Sequence, residues 1–146
     1  MKKIKKEKID FIYSSDFYRA KETARIALKE LGLKKINFDK RLRDINMGVF
    51  HGRKREEYYK FFGYEKRKFS KKPPKGESWT KLKKRMVGFL KDIDKKHKDK
   101  KILIVGHGDP LWMFEGIIKR MSNQQLSKEV FVKKNYIRVG ELRNIN

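Results

Sequence analysis

KILIVGHGDPLWMFEGIIKRM, residues 101–121, decides the fold. Ile102, Leu103, Ile104 and Val105 form a short unbroken apolar run rich in β-branched side chains. That is the pattern of a strand buried on both faces. Gly106-His107-Gly108 ends the run, with glycine where a backbone must turn tightly or admit a ligand. Asp109 suits the N-cap of a following helix and Pro110 its first position. Leu111, Phe114, Ile117, Ile118 and Met121 then recur at helical spacing. One histidine thus stands at the carboxyl end of a buried strand, just before a helix N-terminus. Ligands of open α/β sheets bind at that place, and a helix N-terminus favours anions. A histidine satisfied within a turn is the plainer reading of the same residues.

Upstream, Ile9 to Tyr13 reads as a short strand entering Ser14-Ser15-Asp16. Either serine or Asp16 can cap a helix over roughly 17–31, which Gly32 closes. Ala20, Ala24, Ala27, Leu28 and Leu31 give that helix an apolar face. Arg19 falls in its first turn, where a cation opposes the helix dipole unless an anion lies nearby; a solvated arginine is the alternative. Ile36 to Asp39 reads as a second short strand. RLRDINMGVFHG, residues 41–52, is a glycine-bounded loop holding Asp44 and His51.

KREEYYKFFGYEKRKF, residues 54–69, reads as a helix or helical hairpin broken at Gly63. Its aromatics suit a lid packed on a core, or a stacking platform for nucleobases. KKPPKG, residues 71–76, is a loop, and Ser78 caps an amphipathic helix with Leu82, Met86, Phe89, Leu90 and Ile93 on one face. Beyond the central stretch, 130–132 and 136–142 read as two final strands. The alternation of elements predicts a single α/β domain over 1–146, with a largely parallel sheet.

The formal net charge is +23, from 41 Lys and Arg against 18 Asp and Glu. Such a balance suits polyanions, through phosphate neutralisation and counterion release. The lysines are dispersed through every segment, however, and no helix-turn-helix, zinc finger or aromatic RNA platform is visible. Weak nonspecific polyanion binding at low salt is the expectation. The absence of cysteine excludes disulfides, thiolate metal sites and a cysteine nucleophile. No apolar run has the length of a membrane span or a signal peptide core, so no membrane association and a cytoplasmic location are expected.

Four stretches, in this order and spacing, carry a resemblance: SSDFYRAKETA (14–24), LRDINMGVFHG (42–52), PKGES (74–78) and VGHG (105–108). Together they resemble the histidine phosphatase superfamily, the phosphoglycerate-mutase-like enzymes, and most of all its small bacterial phosphatase branch. The resemblance implies a three-layer α/β/α sandwich and phosphoryl transfer through a phosphohistidine, with no metal and no cofactor. It implies a small phosphorylated substrate, as phosphatase or as mutase. Arg19 matches the arginine that grips the phosphoryl group, where a guanidinium fits two oxygens. His107 matches the second histidine, a hydrogen-bond donor to the transferred group, helped by the backbone of Gly108 and Asp109. Asp44 matches the proton donor, usually a glutamate; the aspartate is shorter by about 1.5 Å of reach. Glu77 lies near the pocket in a structural role, and 53–75 forms the lid.

The family opens with a strand ending in Arg-His-Gly, whose histidine is the nucleophile. This chain begins at what resembles the end of the family's first helix. The resemblance therefore implies that the first, central strand, next to the strand at 102–105, is missing together with the attacking histidine. His51 and His97 follow no strand into a turn and do not replace it. Two strand edges would be left with unpaired groups, each costing about 1–3 kcal/mol. Pairing with another segment, self-association, a rearranged sheet, or a fragment of a longer protein would each answer that, the last being the expectation. As given, the chain is expected to be inactive or nearly so. The alternatives are a non-catalytic phospho-ligand binder and a basic nucleic-acid-associated module.

Overall fold

The computed structural model describes residues 4, 7–63, 68–131 and 133–145. They form two compact units, Met1–Asp44 with Gly88–His107, and Ile45–Val87 with Gly108–Asn146.

The first unit is built on three parallel strands, β1 (Phe11–Ser14), β2 (Ile36–Phe38) and β3 (Ile102–Val105). Their order is β2-β1-β3, with Ile12 opposite Ile36 and Leu103. Strand periodicity sends Ile12 and Leu103 to one face and Phe11 and Tyr13 to the other. On the first face lies α1 (Tyr18–Leu31), whose buried Ala20, Ala24 and Ala27 let the helix approach closely. Gly32 ends it in the left-handed conformation, as the sequence predicts. The other face receives the end of α3 (Trp79–Lys96): Phe89 meets the Tyr13 ring edge-on at 5.7 Å. Helices thus cover both faces of the sheet, the α/β/α layering expected.

Two expectations fail in this unit. No side chain of Ser14, Ser15 or Asp16 caps α1, whose N-cap is Phe17. The Ser14 hydroxyl donates to the Ser15 carbonyl, Ser15 turns to His107, and both Asp16 oxygens are taken by Arg43. Nor is β3 buried on both faces: only Leu103 is buried, while Ile102, Ile104 and Val105 are half-buried. Among the described residues β3 has β1 on one side and no strand on the other.

The second unit holds α2 (Arg55–Phe62), the start of α3, α4 (Gly108–Ile118) and α5 (Asn123–Phe131). The Ser78 hydroxyl accepts the Lys81 N–H and caps α3, and Gly63 ends α2 at φ 70°, both as read. Of the rest of the expected hairpin, 64–69, residues 64–67 lie outside the described residues. Gly48 packs so tightly on 74–76 that a Cβ there would stand 2.1 Å from the Pro74 carbonyl oxygen. Its φ of 57° also demands glycine.

The helix after His107 begins at Gly108, so Asp109 lies in its first turn and is not its cap. Its buried residues are Pro110, Trp112, Met113, Phe114, Glu115 and Gly116; of the expected stripe Phe114 is buried, while Leu111, Ile117, Ile118 and Met121 are half-buried. Trp112 packs on Trp79 at 4.7 Å, and Leu126 of α5 sits where a Gly116 side chain would be. The two final strands do not form. Val130 lies in α5, residue 132 is outside the described residues, and 136–142 follows an irregular path. Glu129 explains the stop: its carboxylate binds Lys133 Nζ and Asn135 Nδ2, and its carbonyl accepts the Asn135 N–H. No helix among the described residues is long and apolar enough to cross a membrane.

Candidate functional site

The carboxyl ends of β1 and β3 are tied by the Ser15 N–H donating to the Val105 carbonyl, and β2 joins through Asp39 N–H to the Ser14 carbonyl. Three chain segments therefore leave the sheet at one place, where ligands of parallel sheets bind. After β1 comes the first turn of α1 with Arg19. After β2 the Asp39 carboxylate accepts the Arg41 N–H and starts a tight turn over Lys40–Leu42. Buried Leu42 anchors that turn, so Arg43 and Asp44 leave it in fixed register. After β3 comes His107.

These residues meet. Arg19 Nη2 donates to Asp44 Oδ2 at 2.7 Å, and His107 Nδ1 stands 3.8 Å from the same oxygen. The His107 side chain is 3% exposed, Asp44 36% and Arg19 63%. A buried imidazole and a solvent-facing guanidinium thus address one oxyanion. Asp44 also supplies the anion that makes a cation tolerable in the first turn of α1.

His107 is held from behind. Its Nε2 is 2.9 Å from the Ser15 hydroxyl, and both groups are buried. Ser15 Oγ accepts the Phe17 N–H at 3.3 Å, so its own proton is available for Nε2. Given there, it leaves the ring proton on Nδ1, the side of Asp44. The Phe17 ring meets His107 edge-on at 5.4 Å and lies under two guanidinium carbons, Arg19 at 5.6 Å and Arg43 at 5.3 Å. Arg43 itself grips Asp16 with two bonds of 2.6 Å. Those hydrogen bonds hold the Asp16 carboxyl below the usual carboxylate range and raise Arg43.

Of the residues expected at the site, the first unit brings together Arg19, Asp44 and His107. Gly108 and Glu77 belong to the second unit. A Cβ on Gly108 would meet the Tyr136 hydroxyl at 2.3 Å, and that hydroxyl donates to Asp109. Glu77 is buried, paired with Arg85, and accepts the Asn46 N–H while its own N–H donates to the Asn46 carbonyl. It fastens the 45–48 loop to the start of α3. His51 is exposed beside the Gly48–Phe50 turn, and His97 bonds Tyr13. Among the described residues no group of three or more His, Asp or Glu is placed to hold a metal ion. Sequence reasoning missed Ser15, taken as a helix cap, and the Asp16–Arg43 pair. The one usable signal was position: Ser15 follows directly on a strand aimed at the site.

Similar proteins were found at both levels. The sequence profile of the histidine phosphatase superfamily (branch 1) matches residues 1–134. Phosphoglycerate mutase-like protein 4 of Arabidopsis thaliana is 37% identical over 111 residues, covering 71% of this chain and 48% of that protein. Phosphoserine phosphatase 1 of Hydrogenobacter thermophilus is 29% identical over 113 residues, covering 74% of this chain and 53% of its own length. The chain spans about half the length of these curated relatives. Mycobacterial glucosyl-3-phosphoglycerate phosphatase superposes with a TM-score of 0.75 at 19% identity, covering 86% of this chain and 65% of that one, a likeness of fold. With nearly the whole sequence under one profile, and Arg19, Asp44 and His107 meeting at the sheet's carboxyl end, the chain belongs to the histidine phosphatase superfamily.

Proposed function

We propose that the protein handles the phosphoryl group of a small phosphomonoester, Arg19 and His107 gripping it and Asp44 serving the leaving oxygen. The observation that carries this reading is the convergence of the Arg19 guanidinium and the His107 ring on one oxygen of Asp44. Those are the donors a phosphoryl oxygen needs, and the carboxylate holds the position such an oxygen would take. In the phosphohistidine route that family membership suggests, a histidine nitrogen bonds phosphorus as the ester P–O bond breaks. Once the phosphoryl group draws Arg19 away, Asp44 takes a proton from water and gives it to the departing oxygen, and a second water then splits the P–N bond to release phosphate. Arg19 and His107 meet the charge that spreads over the transferring oxygens. The names of the relatives, phosphoserine and glucosyl-3-phosphoglycerate phosphatases among them, support a small phosphorylated metabolite as substrate. Family membership further suggests residues 53–75 as the lid that selects it and Gly108 as a backbone donor, while Glu77 holds the 45–48 loop.

None of the three histidines is proposed as the attacker. His107 is tied to Ser15, His97 to Tyr13, and His51 stands in an exposed turn. The attacker is supplied from outside these 146 residues, by a strand pairing along the outer edge of β3. By itself the chain then binds phosphate without turning over esters. The same placement of the histidines favours a second reading, a phospho-ligand binder that needs no attacker.

The test is titration of the 146-residue chain with inorganic phosphate and vanadate, alongside hydrolysis of p-nitrophenyl phosphate. Saturable anion binding without hydrolysis is expected, weakened at least tenfold by Arg19→Ala and by His107→Ala. Binding indifferent to both substitutions overturns the site. Hydrolysis by a chain carrying an upstream Arg-His-Gly strand selects the enzyme; continued binding without hydrolysis in that chain selects the binder.

A further inference from the structure

The geometry points to a second ligand site in the first unit, at the amino ends of the strands: a cleft for a mononucleotide, its base against Phe11, Tyr13 and His97 and its phosphate on Lys34 and Lys35. The cleft measures about 250 Å³ and is lined by Asp10, Phe11, Tyr13, Leu33, Lys34, Lys35, Asn37 and His97. The candidate phosphoryl site begins at the other end of β1, about 13 Å away for four residues of strand. The two are chemically independent.

The floor is aromatic and pre-set. Phe11 and Tyr13 point to the same face of β1, and His97 packs on the Phe11 ring with centroids 4.1 Å apart. His97 Nε2 is fixed by the Tyr13 hydroxyl at 2.8 Å, while its Nδ1 takes no bond among the described residues. Such an imidazole is oriented but still has a nitrogen to offer. Asn37, opposite Tyr13 in register, spends its Nδ2 on the Ile12 carbonyl and keeps Oδ1 as an acceptor. That acceptor suits the exocyclic amine of a base.

The rim is cationic. Lys34 and Lys35 follow the end of α1, are exposed, and form no ion pair among the described residues. The one acid in the lining, Asp10, is already engaged: it accepts the Lys101 N–H and lies 3.6 Å from Lys100 Nζ. A ligand that fills this cleft therefore carries a flat ring, a donor on that ring and an anion beyond it. Its volume of about 250 Å³ lies just below the roughly 300 Å³ at which ordinary ligand pockets begin, so it takes one ring system and leaves the anion on the rim. Aromatic faces next to basic side chains are the elements by which proteins hold nucleotides.

Adenosine 5′-monophosphate is the probe, and the chain's three histidines make imidazole NMR the readout. Saturable shifts at the His97 ring are expected, present equally in Arg19→Ala, where the phosphoryl site is disabled. The double variant Lys34→Glu, Lys35→Glu is expected to weaken binding at least tenfold, and adenosine or inorganic phosphate alone to bind at least tenfold less tightly than the nucleotide. A His97 ring that does not move, or shifts that survive the charge reversal, overturn the proposal. So do shifts that vanish with Arg19→Ala, since the nucleotide would then be reporting the phosphoryl site. An oligoadenylate that moves His97 in the same way draws the nucleotide from an RNA end; one that binds without moving it leaves the free mononucleotide as the ligand.

Discussion

Asp44 is both the partner that steadies Arg19 and a competitor for the anion Arg19 is proposed to bind. The pair is half open to water, where such contacts contribute about 0.2–1 kcal/mol. Asp44→Asn is accordingly expected to tighten phosphate binding up to about fivefold by calorimetry, while removing the proton donor. Weaker binding in that variant would show Asp44 to be chiefly a prop for the arginine. Ser15→Ala strands a buried imidazole nitrogen, a defect of about 1–3 kcal/mol. It is expected to shift the His107 ring between tautomers, read from its nitrogen chemical shifts, and to weaken phosphate binding; unchanged shifts would deny Ser15 its positioning role. The acid limit of the fold follows from Asp16 and Asp39. Hydrogen bonds from Arg43 lower Asp16. Burial by itself would raise Asp39, but its bonds to Arg41 outweigh that and lower it as well. A carboxyl depressed in the folded state gives stability that is complete above its unfolded value, about 3.9. That stability is lost as pH falls through the folded value, because the unfolded chain binds the proton first. Thermal melts are expected to show Asp16→Asn losing less stability than the parent between pH 7 and pH 3, and an equal loss would remove this pair as a cause.

The elements divide by whether a local signal or a distant contact fixed them. The end of α1 at Gly32, the Ser78 cap and the Gly63 stop were legible because glycine and capping chemistry act within a turn. The stripe on α4 was not. Trp79, Leu126 and Arg143 approach that helix from far along the chain and bury most of its circumference, Glu115 included. The last two strands misled for the opposite reason. Val130 and Phe131 favour strand by propensity, but α5 runs through both and Glu129 folds the chain back on itself. Lys68 is an element-scale feature that no pattern announced. It is 4% exposed, its ammonium 4.4 to 5.7 Å from the rings of Tyr58, Tyr59, Phe62 and Trp79. A desolvated cation–π contact contributes about 2 kcal/mol or more, so the lysine clips α2 to the start of α3. Lys68→Met keeps the aliphatic stem and drops the charge. It is expected to lower the melting temperature of the chain, less than Lys68→Ala does; a melting temperature equal to the parent's would mean that the stem alone holds the cluster.

At the scale of the whole molecule the candidate site was legible as a list of residues and not as an arrangement. Arg19, Asp44 and His107 came from motifs strung over most of the chain, whereas the His107–Ser15 bond joins residues 92 apart and is marked locally only by the place of Ser15 after a strand. Net charge is the reverse case, plain in the sequence and diffuse in the fold. A surplus of +23 suits polyanions by charge alone, yet the ion pairs among the described residues are spread over both units. Binding of this kind releases counterions, so its strength falls steeply with salt, and beyond a Debye length of about 8 Å at physiological ionic strength the scattered charges act separately. The phosphoryl grip is different in kind, since a buried imidazole and one guanidinium address a single small anion. RNA or heparin binding is therefore expected to be indifferent to sequence, to collapse between about 50 and 200 mM salt, and to survive Arg19→Ala and His107→Ala, while inorganic phosphate binding keeps most of its strength over that range and is lost in those variants. Sequence-selective RNA binding that persists at 200 mM salt would instead require a dedicated nucleic-acid surface on this protein.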